Sequence, residues 1–210
     1  MKLSDILQPL RNEVESDDSL REITLPLARA AVRKCSESIK ETHRGDYDTA
    51  ASLLEEAKKM TEKARHQIAN SEFLSSRNLD TAYQEIAEAS NLLSLLRDGD
   101  FTPPSDNGIP SRPYLTGLAD TVGELRRAIL NSLRTDDMER ANRLLGFMEE
   151  ILDELGTFDF PNALIPELRR KCDVARSIIE RTQGDLTTAI QQAKLIKELR
   201  DFEKRHRSSE

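Results

Sequence analysis

The stretch YLTGLADTVGELRRAILNSL, residues 114–133, repeats its apolar residues with the period of an α-helix. Its apolar stripe consists of Leu118, Val122, Leu125, Ile129 and Leu133. A polar stripe lies about 200° away around the helix and spans an arc of roughly 60°. It consists of Asp120, Glu124, Arg127 and Asn131. The stretch therefore predicts an amphipathic helix that packs against a core along one side.

The same helical period extends outward from this stretch in both directions, and no segment favours a strand. We expect about seven helices, forming one all-α, helical-bundle domain over residues 1–210. Cap and stop residues predict their limits. A short first helix starts at Ser4, and a long second helix starts at Ser16, Asp17 or Asp18, is kinked or started by Pro26, and ends at Gly45. The third helix runs from Asp46 or Asp48 to Ile68, and the fourth from Asn78 or Asp80 to Asp98. After a loop at 100–113, helices follow at 114–133, at 137–155 and from Pro166 onward, with a break at Gly184.

The composition excludes several classes of protein. With 37% hydrophobic and 33% charged residues the chain is too polar for a membrane protein and too apolar for disorder. It lacks an apolar run of about 18 residues and a signal-peptide pattern, so we expect a cytoplasmic protein without membrane contact. Nucleotide-binding glycine motifs, GxSxG and HExxH are absent from the sequence. Cys35 and Cys172 show no zinc-ligand spacing, and we expect reduced thiols in the core.

Two predicted helices carry pairs of carboxylates at helical spacing. Glu85 and Glu88 are three residues apart on one helix, and Asp120 and Glu124 are four apart on another. Glu85 falls at the margin of its helix's apolar side, where an unpaired carboxylate is costly. The two pairs could converge on Mg²⁺, which prefers oxygen ligands. Among 38 acidic residues, however, such pairs also arise as ordinary solvated faces.

Basic residues give a weaker signal. Lys34, Lys40, His43 and Arg44 could contact phosphates or could form an exposed helix face. Arg127 could bind a phosphate oxygen or form a salt bridge with Glu124 or Asp120. The formal charge of −7 argues against indiscriminate nucleic-acid binding but leaves room for a local basic surface. Gly123, inside a helix, suggests the close approach of a neighbouring helix or of RNA.

The same residues carry a resemblance to a known family. Residues 114–127, YLTGLADTVGELRR, followed by Asn131 and Ser132, resemble the signature helix of the translin family, and in particular its translin-associated factor X (TRAX) type. Residues 83–89, YQEIAEA, resemble the preceding acidic helix of the TRAX-type subunit, and residues 36–57 resemble the family's opening helical pair. The likeness spans roughly residues 27–186, in the compact form of the archaeal single-subunit members.

The resemblance implies an all-helical protein that assembles into a closed, octameric homo-oligomer around RNA, mainly single-stranded. It implies a Mg²⁺-dependent endoribonuclease, with Mn²⁺ as an alternative cofactor. Carried over residue by residue, the catalytic and metal-binding acids are Glu85, Glu88, Asp120 and Glu124. Plain translin subunits lack this acidic set, so its presence favours a catalytic subunit. The resemblance does not place the family's RNA-contacting positions, and the basic pattern alone predicts RNA contacts at Lys34, Lys40, His43, Arg44 and Arg127.

Two non-enzymatic alternatives remain open. Residues 45–54, GDYDTAASLL, are similar to a tetratricopeptide turn, and residues 137–145 repeat that pattern weakly. A helical scaffold of 34-residue repeats would need further copies, and none can be traced. The other alternative is a nucleic-acid-binding shell that keeps the family fold but does not cut. Either reading predicts no role for Mg²⁺.

Overall fold

The computed structural model describes residues 2–69, 79–161 and 163–207, and over these residues the chain contains helices and no strand. They are α1 (Leu3–Arg44), α2 (Tyr47–Ile68), α3 (Asp80–Arg97), a 3-10 helix (Pro104–Asn107), α4 (Ser111–Arg134), α5 (Met138–Gly156) and α6 (Leu168–Arg207). The all-α prediction is confirmed, with six α-helices in the described residues where about seven were expected. The predicted helix start at Asn78 lies outside them.

Contacts between residues divide the chain into two compact units. The first unit is Met1–Thr121, in which α1, α2 and α3 pack together. The second unit is Val122–Glu210, in which α5 packs against α6. The single domain over residues 1–210 stays a prediction. No helix in the described part of the chain is long and apolar enough to cross a membrane.

Helix α3 is buried on nearly all sides within the first unit. The predicted apolar side, Leu79, Tyr83, Ile86, Ala89 and Leu93, is fully buried, as expected. Residues on the other sides of the helix, including Ala87, Leu92 and Leu95, are buried as well. A helix that is buried all round lies inside its unit. Polar side chains in the middle of α3 are therefore held in surroundings that are largely closed to water.

The two predicted N-terminal helices are one helix, α1, of 42 residues. The expected cap residues Asp17 and Asp18 lie inside it, and it continues through Pro9 and Pro26. A proline inside a helix costs roughly 3 kcal/mol. Packing of the C-terminal half of α1 against α2 and α3 offsets that cost, with Ala31 and Cys35 completely buried. The prediction of a separate first helix was wrong because local start signals do not register this packing.

Other predicted helix limits are confirmed by their local chemistry. Gly45 ends α1 with φ of +82°, in the left-handed region that favours glycine. Asp46 caps α2 by accepting a hydrogen bond from the Thr49 amide at 3.1 Å, and hydrogen bonding to the Thr49 side chain and to this amide lowers the pKa of the Asp46 carboxyl. Asp137 caps α5 by accepting from the Arg140 amide at 3.0 Å. These limits depend on neighbouring residues alone, which is why the sequence predicts them.

The predicted break at Gly184 is absent, because α6 continues through it. On either side of Gly184 the helix is anchored in the second unit by the Arg126 guanidinium. Arg126 donates to the Thr182 hydroxyl at 2.7 Å and to the Asp185 carboxylate at 2.8 Å. These two contacts hold α6 in place on both sides of Gly184.

The loop before α4 is fastened to α3 by a buried amide. Asn91, completely buried, donates from Nδ2 to the Ala87 carbonyl at 2.8 Å and accepts from the Thr102 amide at 3.1 Å. The Tyr114 hydroxyl in turn donates to the Thr102 carbonyl at 2.8 Å. Together these bonds fix the start of α4 against α3.

We expect Asn91→Ala to lower the free energy of unfolding by about 2 kcal/mol, because a buried backbone amide loses its acceptor. Urea unfolding followed by circular dichroism measures this. Asn142→Ala is the matched control, since Asn142 donates to the Met138 carbonyl at 2.8 Å on an exposed face. The control should stay within about 0.5 kcal/mol of the parent. Equal losses in the two variants would mean that Asn91 does not fasten the loop.

Candidate functional site

Glu85 and Glu88 lie in the middle of the buried helix α3 and are half-buried. Their neighbours Ile86, Ala87 and Ala89 are each at most 1% exposed. Removing a carboxylate from water is costly unless a cation or hydrogen bonds compensate. The predicted position of Glu85 at the edge of the apolar side is therefore confirmed. Two carboxylates held in such surroundings are typical of a functional site, which makes α3 the candidate helix.

Cys35 lies on α1, which packs against the helix that carries these two carboxylates. Burial raises the pKa of the thiol, and the charges of Glu85 and Glu88 raise it further, while Lys58 lowers it. The thiol therefore stays protonated and cannot act as a thiolate ligand or nucleophile. Both cysteines are buried and unpaired, as predicted.

Helices α3 and α4 approach closely at Gly117. A Cβ atom on Gly117 would overlap the carbonyl oxygen of Gln84 and would lie 2.8 Å from the Cβ of Ala87. Real Cβ atoms do not approach other atoms this closely, so only glycine fits here. The crossing brings the side chain of Gln84 against the first turns of α4.

The side chain of Gln84 joins Asp120 to the acidic helix. Its Nε2 donates to Oδ2 of Asp120 at 2.8 Å, and both residues are half-buried. Glu88 follows Gln84 by four residues and so lies on the same side of α3. The fold thus brings Asp120 next to the helix that carries Glu85 and Glu88. Sequence reasoning assigned no role to Gln84 or Gly117.

The fourth predicted acid, Glu124, lies one helical turn beyond Asp120 on α4. Arg127 forms an ion pair with it, at 3.5 Å between Nη1 and Oε2. The salt bridge left open for Arg127 is therefore present. An exposed pair of this kind contributes little stability, typically below about 1 kcal/mol, and can exchange with other partners.

The chemistry of these side chains fits Mg²⁺ better than a closed metal centre. Within the described residues, no three His, Cys, Asp or Glu side chains are gathered in a metal-binding arrangement. Mg²⁺ keeps several of its waters and commonly binds one or two carboxylates together with substrate phosphates. Half-buried carboxylates in an open arrangement suit that requirement, whereas a structural zinc site is closed by four ligands, commonly cysteine and histidine.

The predicted phosphate-binding cations on α1 do not form one surface. Lys34 is ion-paired with Glu56 at 3.0 Å and with Glu37 at 3.4 Å. His43 is half-buried and Lys40 is exposed. Lys34 and His43 are nine residues apart, which places them on opposite sides of a helix with about 100° per residue. The last turn of a helix carries the negative end of its dipole, which disfavours phosphate there.

Gly123 was expected to mark the close approach of a neighbouring helix or of RNA, and no neighbouring helix approaches it in the described residues. No heavy atom in the described part of the chain lies within 4 Å of the position of a Cβ on this residue. Gly123 is exposed, six residues after Gly117 on the same helix. The close approach predicted for α4 occurs at Gly117 instead.

Comparison with known proteins identifies the family. A model of the translin family matches residues 13–184. An uncharacterised protein of Methanocaldococcus jannaschii is 34% identical over 198 residues, which cover 93% of this chain and 88% of that protein. The chain belongs to the translin family.

Solved structures agree with this assignment. The crystal structure of AfC3PO and the structure of its complex with duplex RNA are each 34% identical to this chain. They match it with TM-scores of 0.80 and 0.79 and cover 90% of this chain and 98% of theirs. Apo-NeC3PO has a TM-score of 0.79 over the same shares at 20% identity, which supports the fold alone.

Proposed function

We propose that this protein is a Mg²⁺-dependent endoribonuclease of the TRAX type that works as a single kind of subunit in a closed homo-oligomer. The observation that carries the proposal is the contact of Asp120 with the acidic helix α3. Glu85 and Glu88 are half-buried on α3, and Asp120 is joined to the same helix through Gln84. Acids kept in a poorly solvated place at a cost in stability are typical of functional sites.

Glu85, Glu88, Asp120 and Glu124 would hold the cation, with Mn²⁺ as its substitute. Bound Mg²⁺ lowers the pKa of water and stabilises negative charge on a phosphate. A carboxylate of the set accepts a hydrogen bond from the attacking water and orients it toward phosphorus. The water oxygen bonds to phosphorus as the bond to one ribose oxygen breaks, so no side-chain nucleophile is required. The neutral thiol of Cys35 stays outside the chemistry.

RNA is the substrate that we propose, on the basis of family membership and of the AfC3PO complex with duplex RNA. Our expectation for this chain is mainly single-stranded RNA, because in-line attack needs a flexible backbone. Exposed Lys40 suits phosphate contacts. Lys34, Arg44 and Arg127 would first have to leave their ion pairs with Glu56, Glu41 and Glu124.

Labelled RNA tests the activity. Purified protein should cut single-stranded RNA internally with Mg²⁺ or Mn²⁺ and should stop when EDTA is present. Duplex RNA of the same sequence, measured in parallel, tests the strand preference. Cleavage that continues in EDTA would show that the reaction does not require a metal ion.

A non-catalytic RNA-binding shell is the second candidate. It is favoured by the Glu124–Arg127 ion pair and by the lack of a gathered metal cluster in the described residues. Under this reading the protein binds RNA with the same affinity in Mg²⁺ and in EDTA, and leaves it intact.

Assembly is supported by an exposed apolar stripe on α1. Leu3, Leu7, Leu10 and Val14 are 47–68% exposed and recur at steps of four, three and four. These four side chains form one apolar side of the N-terminal part of α1. Burying it against another copy would remove apolar surface from water.

We expect the double variant Leu7→Glu, Leu10→Glu to reduce the oligomer toward the 23.8 kDa monomer, because charges would enter the apolar stripe. Light scattering after gel filtration measures the mass. Leu164→Glu serves as the control, since Leu164 is 62% exposed but lies outside the α1 stripe. The native protein is expected to be an octamer. A native mass of 23.8 kDa at micromolar concentration would refute the enclosed assembly.

The protein is further proposed to be cytoplasmic. Both of its cysteines are unpaired, which suits a reducing compartment.

A further inference from the structure

The contact between Gln84 and Asp120 is built into the crossing of α3 and α4. The absence of a side chain at Gly117 lets the backbone of Gln84 touch α4. From there the Gln84 side chain reaches Asp120, three residues further along α4, and donates at 2.8 Å. Because a carboxylate only accepts, the amide nitrogen must face it. The bond uses one of about four acceptor positions that a carboxylate offers.

One turn earlier on α3, an ion pair joins the same two helices. Asp80 on α3 forms an ion pair with Arg112 on α4, and both side chains are about one-quarter exposed. Asp80 and Gln84 are four residues apart, so the two contacts lie on the same side of α3. A charged pair is thus compatible with this crossing. At Asp120, however, the chain uses a neutral donor.

The difference in charge matters for a cation. A guanidinium within hydrogen-bond distance of Asp120 would neutralise the carboxylate and would repel Mg²⁺. A neutral amide fixes the direction of the carboxylate and leaves its negative charge in place. Hydrogen bonds of this kind to metal ligands orient them, and losing one typically costs 10–100-fold in metal affinity or activity.

We propose that Gln84 is a positioning residue that orients the Asp120 carboxylate for a divalent cation without neutralising it. This inference rests on the proposed function, because it requires Asp120 to bind the metal. Gln84 itself does not touch RNA or metal in this scheme. Its effect is on metal affinity first and on cleavage through that affinity.

The test compares Gln84→Met with the native protein in two measurements. Mn²⁺ binding to the metal-free, RNA-free oligomer is followed by electron paramagnetic resonance of the free ion. Cleavage of single-stranded RNA is then measured as a function of Mg²⁺ concentration. Methionine keeps the length of the side chain and removes the donor. We expect the Mn²⁺ Kd and the Mg²⁺ concentration for half-maximal rate each to rise about tenfold. The rate at saturating Mg²⁺ should fall less than threefold.

Arg112→Met is the matched control, because it removes another side-chain contact between α3 and α4, the ion pair with Asp80, without touching Asp120. It should lower thermal stability at least as much as Gln84→Met while leaving the Mn²⁺ Kd within twofold. If the Mn²⁺ Kd shifted equally in both variants, Gln84 would only hold α3 and α4 together and would have no specific effect on Asp120. Native-like Mn²⁺ affinity in Gln84→Met, with a native protein that binds and cuts, would overturn this inference alone. A native protein that neither binds Mn²⁺ nor cuts would overturn the proposed function with it.

Discussion

Asp120→Asn is expected to lower the rate of Mg²⁺-dependent RNA cleavage by about 100-fold or more. Loss of one carboxylate ligand removes several kcal/mol of stabilisation of the phosphate charge, and about 3 kcal/mol corresponds to a factor near 100. The asparagine oxygen still accepts the hydrogen bond from Gln84, so the contact between α3 and α4 is kept. Cleavage time courses at saturating Mg²⁺ measure the effect.

Stability separates this role from a structural one. In the proposed site Asp120 shares a cation with Glu85 and Glu88, so replacing it with an amide should remove repulsion in the metal-free protein. The melting temperature of the metal-free variant should be unchanged or slightly higher, and the oligomer mass unchanged. A lower melting temperature together with native cleavage would mean that the carboxylate serves the fold.

Gly117→Ala is expected to lower the free energy of unfolding by about 3 kcal/mol, because its Cβ would overlap the Gln84 carbonyl. For a protein of this size that corresponds to a fall of about 6–12 °C in melting temperature. Pushing α4 away from α3 also breaks the Gln84–Asp120 hydrogen bond, so cleavage should fall even well below the melting temperature. Differential scanning calorimetry and the cleavage assay measure the two effects.

Gly123→Ala on the same helix is the control. Space is open around Gly123, and alanine is the better helix former by up to about 1 kcal/mol. The variant should be as stable as the parent or slightly more stable. If the two glycine variants lost stability equally, the close approach at Gly117 could not be the cause.

Helix type and several helix ends could be predicted because their causes are local. Gly45 and Asp137 act on residues within one turn, and the apolar period of α3 follows directly from its sequence. Local signals left open whether the helix starts at Pro26 or continues through it with a kink. Packing of the C-terminal half of α1 against α2 and α3, which no local start signal reports, favours the continuous helix.

The acids of the candidate site could be named from the sequence, but the residues that position them could not. A glycine inside a helix costs stability and can mark a close approach of another element. The sequence suggested such an approach at Gly123, but it has no means of distinguishing Gly123 from Gly117. Only the crossing of α3 and α4 distinguishes them. Gln84 carries no charge and no periodic signal, so its partner becomes visible only once α4 is placed beside α3.

The most direct test of the metal-nuclease assignment measures Mn²⁺ binding and RNA cleavage on the same samples of native protein and of a fourfold amide variant. The variant carries Glu85→Gln, Glu88→Gln, Asp120→Asn and Glu124→Gln. We expect the native oligomer to bind Mn²⁺ and to cut single-stranded RNA in Mg²⁺, and the variant, with the same mass and helical content, to do neither. Cleavage by the variant at the native rate in saturating Mg²⁺ would contradict the assignment.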